Sequence, residues 1–427
     1  MNDPLPLAPG LAAADEQAAR QTASSTRDVL LLALFASAIV SVAIVTIRFS
    51  EPTPGLLDHA RVLASTGREP MPYYQTGYVV MLAAGLILGG ERGIVALQAI
   101  AFIADVLLAY LLVVYAGGSR RAAVIAAIII AVHPYLVFNV KRIVDNNLAI
   151  PALLLATLAI IEVWLNKAQR LSSALIAGLA LGFAMLARSN FAPLLILVIG
   201  VFVVRGKWRH GALAAVIAIA MVLIVNRLAG GYWRLSPSEG GYTFFLGANP
   251  FTAGALIRDS NPEGSLAAAA TADKIDFEGL PVYTFVNSHE GLFLRLGFEY
   301  IVHHPFEYLW LSVLKLVTLL RPDYRQIGGS MTAPALILIV VQTILALIVP
   351  LWVAFRLMLR HQVGVFDGIW AIPIVAILML SLVIVTGDPR YRLPFEVIAI
   401  VDAAWCYERW SRRERTTHRE LRLLTRP

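Results

Sequence analysis

The carboxylates and cations of this chain are gathered into a few polar stretches between long apolar runs. The first is Phe49–Tyr78, FSEPTPGLLDHARVLASTGREPMPYYQTGY, which carries Glu51, Asp58, His59, Arg61, Arg68 and Glu69. A carboxylate at the mouth of an apolar protein suits general-base chemistry, provided it reaches an acceptor hydroxyl in surroundings that tune its pKa. Glu51 and Asp58 are the candidates. Asp58 also falls in the first turn of a short helix predicted over residues 56–65, where an acid stabilises the helix dipole.

A second cluster, Lys141, Arg142 and Asp145, lies between two apolar runs. Long cationic side chains anchor helix ends by reaching for the interface, but anchoring does not call for an acid three residues after Arg142. The cations suit a lipid-linked phosphate, and Asp145 suits a polar acceptor or a metal. Arg188 interrupts a nearly continuous apolar stretch, where an arginine costs roughly 2.5–3.5 kcal/mol and marks a functional position by default. The adjoining Ser189-Asn190 also suits an interface. In GDPRYRLP, Arg390 and Arg392 could grip a phosphate while Tyr391 packs on a sugar or lipid. An interfacial aromatic belt would use the same residues.

The stretch Ser238–Gly254, SEGGYTFFLGANPFTAG, combines glycines, an Asn249-Pro250 turn and aromatics, with Tyr242 and Asn249 as binding candidates; a folded loop with its own small core would use the same residues equally well. Lys315 lies in an apolar segment farther on. The chain contains no phosphate-binding glycine loop, no paired-histidine zinc motif and no His/Cys cluster. No cofactor is therefore expected, and no motif supports a divalent metal. His133, His303 and His304 are scattered beside prolines or aromatics and read as structural.

These residues need a scaffold, and composition says which kind. Of 427 residues, 58% are hydrophobic and 15% charged, against roughly 25% charged in soluble domains. The length provides for about 10–11 transmembrane helices of roughly 20 residues each and one large external loop. The fold class is an all-α polytopic membrane protein. The single cysteine, Cys406, excludes an intramolecular disulfide. The net charge of +7 sits in short loops beside apolar runs, a topology signal rather than a nucleic-acid surface.

Residues 1–27 read as a disordered cytoplasmic extension, without the basic start of a signal peptide. Residues 28–410 read as the transmembrane domain, with external loops over 49–93 and 230–299 and a basic cytoplasmic tail over 411–427. Spans are expected over 28–49, 94–115, 122–140, 147–166, 171–187, 191–204, 212–229, 334–357, 370–386 and 393–407. Residues 303–320 read as an interfacial helix. Residues 77–90 are short for a span. They read as lying along the surface, which leaves Arg120-Arg121, Lys167 with Arg170, and the RGKWRH cluster at 205–210 all facing the cytoplasm. Glu51, Asp145 and the large loop then share the external face.

In this order the landmarks resemble the family-39-like, polyprenyl-phosphate-dependent glycosyltransferases of the GT-C superfamily, which include protein O-mannosyltransferases and lipid A aminoarabinose transferases. The matching parts begin with an acid after the first helix and the run Ala60-Arg61-Val62-Leu63 to Gly67. Arg142 with Asp145, the helix Gly178 to Arg188, and Gly240 to Pro250 follow. Tyr300 to Lys315 and Arg390 to Pro394 complete the set. Where family members carry an acid ahead of the Ala-Arg pair, this chain has Pro52, with Glu51 beside it. The resemblance implies a polyprenyl-phosphate sugar donor and a hydroxyl acceptor on a lipid, glycan or protein. It implies Glu51 or Asp58 as base, Asp145 as partner, and Arg142, Arg188, Arg390 and Arg392 around the phosphate. A bacterial inner membrane with a periplasmic site is the setting it implies. A transporter or flippase would instead show paired broken helices in two similar halves, and no internal repeat is present. A non-catalytic scaffold of the same ancestry would account for Pro52.

Overall fold

The structure is a computed structural model that describes residues 9–49, 55–69, 74–165, 171–192, 194–204, 206–235, 239–249, 286, 288–320, 333–359 and 391–424. Every regular element among them is helical. Glu51, Arg390 and the expected span over 370–386 lie outside the described residues.

The first helix, α1 (Pro9–Thr46), begins well before the apolar run, so residues 9–27 extend a helix instead of forming a separate unstructured arm. Its Leu32, Ala36, Val40 and Ala43 are buried at helical spacing, while Leu30, Leu31, Leu34 and Val45 are exposed. Both faces of that segment are apolar, which is the pattern of a helix between protein and lipid rather than protein and water. Among the described residues three helices are long and apolar enough to cross a membrane: Thr26–Thr46 within α1, α4 (Glu91–Tyr115) and α10 (Trp208–Gly230). The chain is an integral membrane protein.

Between α1 and α4 lie α2 (Leu56–Thr66) and α3 (Thr76–Gly89). The fourteen residues of α3 cover roughly 21 Å, short of the ~30 Å of hydrocarbon a span must cross. It buries Tyr78, Val79 and Leu82 and turns directly into α4, packing so closely that a side chain at Gly93 would collide with the carbonyl oxygen of Gly85.

The expected single span over 122–140 is two helices, α5 (Arg120–Ala131) and α6 (Pro134–Asn139). Pro134 supplies the break. It has no N–H to donate and drives the preceding residue out of the helical region; His133 is accordingly extended, at φ −65° and ψ 117°. Next come α7 (Asn146–Leu165), α8 (Leu171–Ala187), a 3-10 turn at Ser189–Phe191 and α9 (Leu194–Val204). Helix α8 packs against both α7 and α10. Its buried face is largely Ser173, Ala174, Ala177, Gly178 and Ala184, small residues that let membrane helices approach closely.

The segment expected as one large loop contains α11 (Glu239–Gly247) and most of α12 (Glu290–His303). These pack on each other through Tyr242, Phe244, Phe245 and Phe293. Helix α13 (Pro305–Leu320) is amphipathic and begins after a break at His304. Helices α14 (Ala333–Met358) and α15 (Leu393–Leu424) close the described chain.

Polar links fasten the outer helices to the core. Arg120 pairs with Asp28, which also accepts from Tyr110, joining α5, α1 and α4. Arg356 and Trp352 of α14 both donate to Asp402 of α15, at 2.6 and 2.7 Å. Arg392 binds Glu396, whose other oxygen lies 3.3 Å from His133 Nε2, all three side chains being buried. In hydrocarbon such charges persist only when paired.

Candidate active site

Asp145 stands immediately before α7, and Arg188 immediately after α8. The antiparallel packing of these two helices brings both residues to the same end of the bundle. Arg188 donates from Nε and Nη2 to the two carboxylate oxygens of Asp145, at 2.8 and 2.7 Å. This parallel two-bond geometry fixes both side chains and uses one edge of the guanidinium, leaving Nη1 for another acceptor. The face of the guanidinium stacks on Tyr391, 4.7 Å from the ring centre. Arg188 is 3% exposed and the Asp145 side chain 24%, so the acid is the accessible half of the pair.

The start of α3 supports this pair. Gln75 accepts from the Ser189 amide at 3.0 Å and reaches its hydroxyl at 3.4 Å, holding the residue next to Arg188. Gly77 is required here because a Cβ would fall 2.8 Å from the backbone of Leu186. On the other side of Asp145, Asn147 donates to Gln98 and to the carbonyls of Asn139 and Arg142, while Tyr78 donates to Gln98. This lattice fixes the turn that carries Arg142, whose guanidinium stacks on Phe138 at 5.1 Å.

Thr76, adjacent to Gln75, leads to a second polar cluster. Its hydroxyl lies 2.9 Å from Tyr232 Oη, which donates to Glu69 at 3.4 Å. Glu69 also faces His59 Nδ1 at 3.4 Å, and its own amide donates to the Ala229 carbonyl at 2.6 Å. The Glu69 side chain is fully buried. Burial pushes its carboxyl above the usual carboxylate range, against the opposing pull of His59 and Tyr232. Burial and the nearby Glu69 push the Tyr232 phenol up as well. Of the two acids described in the first loop, Glu69 is thus the enclosed one. Asp58 is 71% exposed and paired with Arg61 in the next helical turn, 2.8 Å away.

The other candidates divide. Tyr391 joins the Asp145–Arg188 pair, whereas Arg392 turns inward to Glu396. Tyr242 packs edge-on against Phe293, and Asn249 is buried and donates to the Phe245 carbonyl; both serve the α11–α12 core. Lys315 is fully buried, its ammonium 4.8 Å over the Tyr308 ring and without a hydrogen-bond partner among the described residues. Desolvation lowers its pKa to about 8. Sequence reasoning passed over Glu69, Tyr232 and Gln75. The available signal for Glu69 was its place between Arg68 and Pro70, in a loop crowded with tyrosines. Among the described residues no three His, Cys, Asp or Glu side chains converge on a metal site.

Residues 70–229 match the family model of dolichyl-phosphate-mannose-protein mannosyltransferases. That stretch includes Gln75, Arg142, Asp145 and Arg188. Among solved structures, the oligosaccharyltransferase AglB of Archaeoglobus fulgidus, in complex with an inhibitory peptide and a dolichol-phosphate, is similar at 17% identity. It aligns with a TM-score of 0.46 over 90% of this chain and 50% of that one. The apo form of the Archaeoglobus fulgidus oligosaccharyltransferase gives 18% identity and a TM-score of 0.47 over the same shares. ArnT from Cupriavidus metallidurans, bound to undecaprenyl phosphate, gives 15% identity and a TM-score of 0.40 over 89% of this chain and 78% of that one. The chain spans half the length of the archaeal enzymes. No curated protein sequence matches it.

Proposed function

We propose that this protein is a membrane glycosyltransferase that moves a sugar from a polyprenyl-phosphate donor to an acceptor hydroxyl at the end of the bundle marked by Asp145 and Arg188. The observation that carries the reading is this buried two-bond ion pair, stacked on Tyr391 and lying within the segment that matches the mannosyltransferase family model. In the reaction the acceptor oxygen bonds to the anomeric carbon, and the bond from that carbon to the donor phosphate breaks. The electron pair leaves with the phosphate, and the hydroxyl proton passes to a carboxylate of the first loop. Glu51 or Asp58 fills that role. The free edge of Arg188 and the Arg142 guanidinium oppose the charge that develops on the phosphate, and Arg390, outside the described residues, is assigned the same role. Lys315, a buried ammonium in α13, is assigned the same task.

The acceptor class is a lipid, glycan or protein hydroxyl, and the setting is the periplasmic face of a bacterial inner membrane. Lipid and glycan profiles of cells lacking the protein test the reading. Wild type is expected to restore a glycosylated product that Asp145→Asn and Glu51→Gln, expressed at equal membrane levels, do not. Full restoration by both variants rejects this site. Movement of labelled lipid across reconstituted vesicles without formation of a glycosidic bond assigns transport instead.

A further inference from the structure

A second concave site lies at the opposite end of the bundle. Helix α5 runs from Arg120 to Ala131 before the chain turns through His133 toward Asp145. Helix α15 runs the other way, from Glu396 beside His133 to Trp405, whose indole donates to the Ala116 carbonyl at 2.9 Å. Both α5 and α14 pack on α15, and between them lies a cavity of about 950 Å³. Its length is walled by Ile125, Ile129, Leu351, Phe355 and Ala403, and its mouth holds Arg121. The volume is at the upper end of the ~300–1,000 Å³ that ligand pockets occupy. Twelve residues of α5 separate the mouth from His133 by roughly 18 Å, so a phosphate held at Arg121 is remote from the Asp145–Arg188 pair.

The charges at the mouth are unbalanced in a particular way. Arg120 and Arg121 occupy the first turn of α5, where the helix dipole already presents positive charge and cations are unfavourable. Asp28 compensates Arg120. Arg121 is exposed and makes no ion pair among the described residues. Along α15, Glu408 lines the same mouth and is followed by the exposed Arg409. An apolar trough with a cationic lip between membrane helices has the form of a lipid site: tails along the isoleucines, anionic headgroup at the arginine.

We propose that this cleft holds an anionic glycerophospholipid of the leaflet opposite the catalytic end, as a bound structural lipid separate from the sugar donor. The test uses full-length protein reconstituted in vesicles of equal phosphatidylglycerol and phosphatidylcholine, re-extracted in detergent, washed, and analysed for retained lipid by mass spectrometry. Wild type is expected to retain phosphatidylglycerol over phosphatidylcholine by about fivefold, the worth of one basic side chain at a charged membrane surface. Arg121→Gln, an exposed change that leaves the packing intact, is expected to abolish the preference while some lipid remains. Ala403→Trp, which fills the trough, is expected to remove the retained lipid altogether. Absence of retained lipid in wild type overturns the proposal, as does cross-linking of residues 370–386 into the trough. Unchanged preference in Arg121→Gln overturns the headgroup assignment. Displacement of phosphatidylglycerol by undecaprenyl phosphate at equal concentration makes this a donor site and overturns it too.

Discussion

Arg188 grips Asp145 with two hydrogen bonds across 43 positions of chain, at 2.8 and 2.7 Å. The pair joins the start of α7 to the end of α8 and faces Tyr391 from the start of α15. Removing one member leaves the other charge in an apolar setting, a loss of about 3–5 kcal/mol for a buried pair. Asp145→Asn is expected at that level, because it leaves the buried Arg188 cation without its carboxylate. Arg188→Ala is expected to cost less on this account, the Asp145 side chain it leaves unpaired by Arg188 being a quarter exposed. Thermal unfolding in detergent checks both. Arg188→Lys retains the charge but not the two-bond fork, so it is expected to lose most transferase activity while unfolding closer to wild type than Arg188→Ala.

Glu69 provides a pH signature. Its folded pKa lies above the ordinary value of 4.5 because burial outweighs His59 and Tyr232. The folded state therefore holds its proton more tightly than the unfolded state. The associated stability is fully present below pH 4.5 and is lost as pH rises through the raised folded value. Glu69→Gln removes the titration. Its midpoint of unfolding is expected to fall less than that of wild type as pH increases from 4.5 toward neutrality, measured by light-scattering or fluorescence melts of the purified protein. Parallel slopes for the two proteins would show that Glu69 ionises normally.

The sequence made the membrane class, most helix positions and the Asp145 and Arg188 candidates readable, since apolar runs and interrupting charges are local patterns. It did not show that these two residues meet, because that depends on how α7 and α8 pack. The split of residues 122–140 at His133-Pro134 was a local proline signal hidden by a long apolar run. Glu69 went unnominated for the opposite reason: nothing in its neighbours reveals that the end of α10 will enclose it. For Asn249 and Tyr242 the sequence left a ligand-facing turn and a loop with its own core equally open, and only the packing on Phe245 and Phe293 shows the internal core. The lengths of α3 and α8 also fall short of ordinary spans, which hydropathy alone does not resolve into crossing or surface-lying helices.

Gly77 sets the distance between α3 and α8. A methyl group there would meet the Leu186 backbone at 2.8 Å, and backbone cannot rotate away as a side chain tip can. Overpacking of this kind costs about 1–3 kcal/mol. Gly77→Ala is expected to show that loss in unfolding experiments. It is also expected to lower activity, because the displaced α3 carries Gln75 away from Ser189. Gly89→Ala, at a position with open space around the missing Cβ, is the control and is expected to leave activity near wild type.

Lys315 separates charge from packing in donor binding. Its ammonium is buried over Tyr308 and its pKa is lowered to about 8 by desolvation. Below that value it is a cation able to meet a lipid phosphate, and above it a neutral amine that cannot oppose negative charge. Affinity for polyprenyl phosphate is therefore expected to decline as pH rises past about 8. Arg does not deprotonate in proteins, so Lys315→Arg is expected to move that decline to higher pH or abolish it. Lys315→Met keeps the apolar stem and is expected to bind weakly at every pH. Titrations with undecaprenyl phosphate across the pH range, read by intrinsic fluorescence, distinguish the three proteins. A decline near pH 8 that persists in Lys315→Met assigns the titration to another group and removes Lys315 from the phosphate site.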